Sequence, residues 1–206
     1  MSVESHLDEL QRFADEMFHA ELIAARVEYF AGLGRISENE DSFEAHLDRF
    51  LDWFLFERIL PPSGQTPLQT FVARKRDQLS PDELAVYEGF SQNVHNLFVV
   101  RKTKKNGVHL RDLITKQKYF VEDELPAAFA KGQVFEGRLV PFQGRWCFTK
   151  GYVFHPPAAT KLIEKHLKTI NVDDAESRKA LMRDLAIRRL KADRYKHIDA
   201  VQFYQF

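Results

Sequence analysis

Between residues 92 and 96 the apolar residues change their spacing, and that change divides the chain. Before it they recur every three or four positions, as on one face of a helix. After it they alternate, as on a strand, and beyond residue 155 the helical spacing returns. The pattern predicts an α+β protein. A helical domain over 1–92 precedes a small antiparallel β-barrel over 96–155, of the SH3 or OB type that some sixty residues of short strands usually form. A C-terminal helical segment over 156–206 packs back across both.

The individual elements follow from local chemistry. Val3, Leu7, Leu10, Ala14, Met17 and Phe18 predict one long helix over 3–31, stopped by Gly32 and Gly34. The stretch GRISENED is a loop, and a second helix spans 41–60 until Pro61, Pro62 and Gly64 end it. Thr66-Pro67 and Ser80-Pro81, with Glu83 three residues after Ser80, open two short helices. In LFVVRKTKKNGVHLRDLI, Asn106-Gly107 separates two β-prone runs and signals a hairpin. KYFVE, QVFEGRLVPF and RWCFTKGYVF supply further strands, with a turn at Gln143-Gly144 and room for a short helix in VEDELPAAFAKG. After Pro156-Pro157 come a helix and then a strongly basic helix over 174–195, anchored by Leu181, Leu185 and Leu190. HIDAVQFYQF is a final strand or a short docked helix.

The stretch FLDWFLFERIL is the apolar centre of the helical domain. Phe43, Leu47, Phe50, Leu51 and Phe54 make one stripe, and Trp53, Phe56 and Leu60 a second, so the helix end is surrounded and Trp53 is expected to be buried. Glu57 and Arg58 sit inside this run as candidate buried charges. An unpaired buried charge costs several kcal/mol, so each needs a partner, with Arg74, Arg76 and Arg111 available to Glu57. Two readings stand: a charged pocket at this helix end, or a structural ion pair with Arg58 reaching solvent.

Charge is balanced overall but not along the chain. Residues 1–60 hold 14 acids and 5 bases, residues 61–206 hold 16 acids and 25 bases. Either the halves attract each other, within a chain or across a homodimer, or the basic part faces an anionic partner. The basic helix is expected to lean on the acidic first helix. The single cysteine, Cys147, rules out an internal disulfide and a Cys-based zinc knuckle, and is read as a buried, quiet thiol. The amino-terminal MSVESHLDELQRF lacks a signal-peptide pattern, and no apolar run approaches the roughly 18–20 residues of a membrane span. A cytoplasmic protein is expected.

Catalytic signatures are missing: no GxSxG, Walker loop or GxGxxG occurs. Glu16 and His19 form a lone Glu-x-x-His, half of what a di-metal bundle would need. His155, in YVFHPP, has no local nucleophile or second acid. No catalytic residue, cofactor or metal is assigned. The basic and aromatic residues of the barrel are the main functional lead. Arg101, Lys102, Lys104 and Lys105 crowd the first hairpin. Arg111, Lys118, Arg138 and Arg145 follow, with Tyr119, Phe120, Trp146 and Tyr152 among them. Small barrels bind single strands with such platforms, though edge lysines also simply prevent strand aggregation. Arg188, Arg189 and Lys191 extend the anion surface onto the C-terminal helix.

Several stretches carry a resemblance: VEYFAGLGRISENEDSFEAHLDRFLDWFLFERIL, TPLQTF, LFVV, VHLRDLITKQKYFVE, GQVFEGRLVPF and YVFHPPAATKLI. Together they resemble a family of uncharacterised bacterial proteins whose pattern is an F-DW-F-F-R helix, a TPL turn, a DL strand end and a G-F-RL strand. Related segments are similar to parts of hypothetical proteins that end in a Cys-rich SEC-C zinc module, which this chain lacks. The resemblance implies no activity.

The sequence thus predicts a non-enzymatic interaction or regulatory module that acts on a protein partner. Its alternative is a nucleic-acid-binding module that uses the barrel face and the basic helix. A third reading places an enzyme site between helices and barrel, and a deep pocket ringed by converging acids and histidines would favour it.

Overall fold

The computed structural model describes residues 2–33, 43–122 and 128–206. Five helices come first: α1 (Val3–Met17), α2 (His19–Ala31), α3 (Phe43–Phe56), α4 (Pro67–Lys75) and α5 (Pro81–Phe90). The single helix expected over 3–31 is therefore two. The break falls at Phe18, whose backbone leaves the helical region at φ −130°, ψ 32°. Packing accounts for it. Phe13 meets Phe71 of α4 edge-on at 5.0 Å, while Tyr29 reaches Phe50 and Trp53 of α3 at 5.6 and 5.3 Å. A straight helix over these residues would be a rod about 43 Å long and could not follow both partners.

The predicted end of α3 also moves. Its regular turns stop at Phe56 rather than at residue 60, and Leu60 instead bridges to Gln65 just beyond Pro61-Pro62. Trp53 is only half-buried, which corrects the sequence expectation, whereas Phe54, Leu55 and Phe56 are buried. The caps of α4 and α5 are as predicted. Thr66 and Ser80 each accept the N–H three residues on, and Gln69 and Glu83 return the bond. The predicted loop at 34–41 and the start of the helix predicted from 41 lie outside the described residues. So do residues 123–127 of VEDELPAAFAKG, the stretch in which a short helix is expected.

The strands are β1 (Val94–Lys104), β2 (Gly107–Asp112), β3 (Lys118–Glu122), β4 (Val134–Phe142), β5 (Arg145–Phe148) and β6 (Val153–Phe154). They run in the order β1-β2-β3-β5-β4-β6, and β1 also pairs with β4, which closes five strands into a barrel. Pairing is antiparallel except between β3 and β5, which meet in parallel at Val121 and Trp146. At the first hairpin Lys104 lies opposite Gly107, so Lys105 and Asn106 form the loop. A Cβ on Gly107 would sit 2.3 Å from the Val121 carbonyl oxygen, so only glycine fits there. At the turn between β4 and β5, Gln143 and Gly144 both have positive φ, the backbone that a tight hairpin demands.

Strand alternation gives the barrel an inside and an outside. Phe98, Val108, Leu110, Tyr119, Val121, Phe135 and Leu139 fill the interior. The outside differs from one side to the other. Val140, Phe142 and Cys147 pack into the same cluster as Phe50, Phe54 and Tyr87 of the helices. Leu97, Val99 and Val134 lie under the C-terminal helices α6 (Thr160–His166) and α7 (Ala175–Arg194), against Ile163, Leu181 and Leu185. Helices therefore cover the β1–β4 side of the barrel. The chain ends in a 3-10 turn, Ala200–Tyr204, that buries Tyr204.

The basic helix leans mainly on the barrel, and it reaches the segment predicted over 3–31 near that segment's end, where Glu28 and Tyr29 line a cleft with α7. The apolar residues of α7 pack on the barrel, in a cluster with no α1 residue, because Leu181 and Leu185 find their apolar area there. Where α7 approaches the amino-terminal helices, Arg183 Nε donates to the Gly32 carbonyl at the end of α2, at 3.2 Å. Among the described residues no helix is long and apolar enough to cross a membrane.

Candidate ligand cleft

Three elements meet where α3 crosses the β1–β4 side. On α3, Asp52 lies three residues after Arg49 and Trp53 four, and Glu57, just past the helix end, lies four after Trp53, so the four share one side. On the barrel, His95 of β1 lies directly opposite Arg138 of β4, and Glu136 is the next outward residue of β4. On α7, Ala175, Arg178, Lys179, Met182 and Arg183 repeat the helical spacing. With Tyr29 and Leu33 from the end of α2 these residues, apart from the buried Glu136, line a cleft of about 510 Å³. That lies within the usual range for small-molecule sites, roughly 300–1,000 Å³. Gly151 lets the β5–β6 loop close against α3, since a Cβ there would lie 2.6 Å from Asp52 Oδ2.

The floor is a chain of alternating charges. Arg49 donates to Glu136, whose same oxygen, Oε1, faces His95 Nε2 at 2.9 Å. His95 Nδ1 faces Glu57 Oε1 at 3.0 Å, and Arg138 donates to that oxygen and to Asn93 Oδ1. An imidazole with a carboxylate at each nitrogen donates from both only when protonated. Burial and the nearby Arg138 oppose that proton, but the bonds to Glu136 and Glu57 outweigh them, and the His95 pKa is raised. Burial by itself would raise both carboxylates. His95 and Arg138 bring Glu57 below its ordinary range, and Arg49 and His95 do the same for Glu136.

Asp52 stands apart from this chain. It accepts the Thr149 hydroxyl, and burial lifts its pKa to about 6 in spite of Arg138 and that hydrogen bond. The cleft thus holds two groups whose protonation its surroundings shift, Asp52 upward to about 6 and His95 upward from its ordinary value. The α7 part of the rim is positive, and Glu28 of α2, paired with Arg58, adds one carboxylate to the lining. Arg178 donates to the carbonyls of Val172 and Asp173, and Arg183 to that of Gly32. Carbonyls hold these guanidiniums in place, while the amino end of α7 is capped by the Asp174 carboxylate. Tyr29 and Trp53 form an aromatic wall.

A second polar group lies behind the floor. His46 and His155 are buried, and the ring nitrogens of His46 and Nε2 of His155 meet no hydrogen-bond partner in the protein. Burial lowers their pKa values to about 3 and about 4. His155 Nδ1 meets the Tyr204 hydroxyl at 2.9 Å. Among the described residues no group of three or more His, Cys, Asp or Glu is placed to hold a metal ion.

Of the sequence candidates, Glu57 is in the cleft, with Arg138 and His95 as partners rather than Arg74, Arg76 or Arg111. Arg58 is beside it, paired with Glu28 at 2.8 Å. Neither charge is fully buried: Glu57 retains 29% exposure and Arg58 31%. Lys102, Lys104, Lys105, Arg111 and Lys118 lie elsewhere, on the β1-β2-β3 ribbon. Arg145 pairs with Glu122, and Trp146 turns its ring against Tyr119 at 5.2 Å. On α7, Arg188 holds Asp184 and the carbonyls of Phe203 and Gln205, Arg189 holds Asp193, and Lys191 is exposed. Cys147 is buried, which raises its thiol pKa.

Arg49, Asp52, His95 and Glu136 were not singled out as site residues. One signal was present. In VFEGRLVPF, Glu136 and Arg138 occupy the same alternate positions as Val134 and Val140, so a face that reads as buried carries two opposite charges. Residues 10–183 match a family model described as a family of unknown function, DUF7986, and the chain belongs to that family. Neither a curated protein nor a solved structure gives a match.

Proposed function

We propose that members of this family with such a cleft bind a small anionic molecule in it. The anionic group lies against Arg178 and Arg183, and a hydrogen-bonding head reaches Asp52, His95 and Glu57. One observation carries the reading: acids, a histidine and arginines from three separate elements converge on one small-molecule-sized cleft. A stability device would need only one ion pair, whereas here buried Arg49, Glu136 and Arg138 hold His95 and Glu57, which stay partly exposed, in a preformed polar surface. Asp52 and His95 give the bound molecule a proton acceptor and a proton donor, so this reading favours a ligand site over the protein-partner module that the sequence suggests.

The test is thermal unfolding in orthophosphate, pyrophosphate, citrate or a nucleoside monophosphate. A molecule that binds only the folded state raises the midpoint with its concentration. The proposal expects a rise with at least one of the four, lost in Arg178→Gln/Arg183→Gln while the unliganded midpoint stays. No rise with any at millimolar concentration, or a rise that survives the double change, contradicts it.

A further inference from the structure

The other side of the barrel suggests a second site. No helix covers the outward residues of β2 and β3. Alternation points Val108, Leu110, Tyr119 and Val121 inward, and leaves His109, Arg111, Lys118 and Phe120 outside. A bulge in β1 adds to this face. Val100 pairs with Leu110, but the next pair is Lys102 with His109, so Arg101 is the extra residue and Lys102 joins the outer row.

Charge on this face has one sign. Arg101, Lys102, Lys105, Arg111 and Lys118 have no acidic partner among the described residues, and Arg145 already neutralises Glu122 at its edge. In the middle lies a ring pair. His109 and Phe120 are half-buried, with ring centres 4.8 Å apart, and Lys104 Nζ sits 5.7 Å from the Phe120 ring centre. A flat ring among unpaired cations suits a partner that offers both flat rings and anions. Beside His109, a cation lies over the Phe120 ring, and a stacking base can take its place while the lysine moves to a phosphate.

We propose that this open face binds single-stranded nucleic acid, with bases on the His109–Phe120 pair and phosphates on Lys102, Lys104, Arg111 and Lys118. The occupant follows from the ring pair. An acidic peptide would use the lysines and leave the rings idle, and a duplex keeps its bases stacked on each other. The helix α7 takes no part, since Arg188 and Arg189 are committed to Asp184 and Asp193. This site is separate from the cleft and does not depend on it.

Fluorescence anisotropy of a labelled oligothymidylate with the full chain tests the proposal. Four phosphate contacts on a single strand predict a slope of about −3 for log affinity against log salt. Lys102→Gln/Lys118→Gln, at exposed positions that cannot unfold the barrel, is expected to weaken binding and roughly halve that slope. Phe120→Ala is expected to weaken binding roughly 5- to 100-fold with the slope kept, and Phe120→Tyr to restore it. No binding at low salt overturns the proposal, and so does binding that a folded Phe120→Ala leaves intact. Equal competition by polyglutamate or by a duplex of the same length overturns it too, in favour of an acidic protein or of general polyanion attraction.

Discussion

One barrel carries two charged outer faces, and they differ in how the charge is arranged. On the β1–β4 side His95, Glu136 and Arg138 meet Arg49 and Glu57 from α3, and each charge has an opposite neighbour. On the β2–β3 side Lys102, Arg111 and Lys118 share one sign, with the two lysines exposed and Arg111 half-buried. Both sets occupy alternate strand positions, so alternation alone does not reveal which face is covered. Sign does. Mixed signs at outward positions permit burial, because each desolvated charge finds a partner. Like signs forbid it, and keep a face open for water or for an anionic partner.

The sharpest way to break this contrast is to remove one charge from each side. Glu136 is 1% exposed and holds both Arg49 and His95. Glu136→Ala leaves Arg49 buried without a carboxylate, and the expected loss is about 3–5 kcal/mol, read from the midpoint of urea unfolding. A loss below about 1 kcal/mol would match a surface pair and would put the covered face on a par with the open one.

The next effect concerns acid. His46 is fully buried and stays neutral down to about pH 3, whereas an unfolded histidine takes up its proton near pH 6.5. Between those values the unfolded chain binds the extra proton, so stability falls as pH drops below about 6.5. From there to about pH 4 the His46 contribution falls by about 3 kcal/mol, at about 1.4 kcal/mol per unit. His46→Leu removes it and leaves no partner stranded, because neither ring nitrogen has one. Unfolding curves at pH 7 and pH 4.5 should show the variant less acid-sensitive than the parent, and equal sensitivity would mean that water reaches the ring.

The smallest effect is on the open side. Changing Lys102, Arg111 and Lys118 to Gln removes no ion pair among the described residues, so stability should shift by no more than about 0.5 kcal/mol per site. A larger loss in the same unfolding assay would reveal partners for these cations and close the face.

The sequence displays the barrel, the caps and the helical periods because each is a local rule. Ser80 and Glu83 specify a helix start in four residues, and Asn106-Gly107 a hairpin in two. The break at Phe18 is not local. It depends on where Phe71 and Trp53 lie, and neither is near it in the chain. The cleft was legible only in part. Glu57 stood out as a charge within an apolar run, and the F-DW-F-F-R pattern contains Asp52. The partners of Glu57 come from strands 38 and 81 residues away, and no spacing rule links a helix end to a strand at that distance. The stripe that contains Trp53 reads as core, while in the fold Trp53 is a wall of the cleft.

The covered face is a site rather than a plain interface only if its charges hold the states assigned to them. NMR titration of the His95 imidazole and the Asp52 carboxyl in the folded chain measures this directly. His95 should keep its proton above pH 6.5, and Asp52 should lose its proton at about pH 6. A His95 that titrates below 6.5 together with an Asp52 near the ordinary value of about 4 would mean a water-filled gap without a preformed charge network, and would contradict the account.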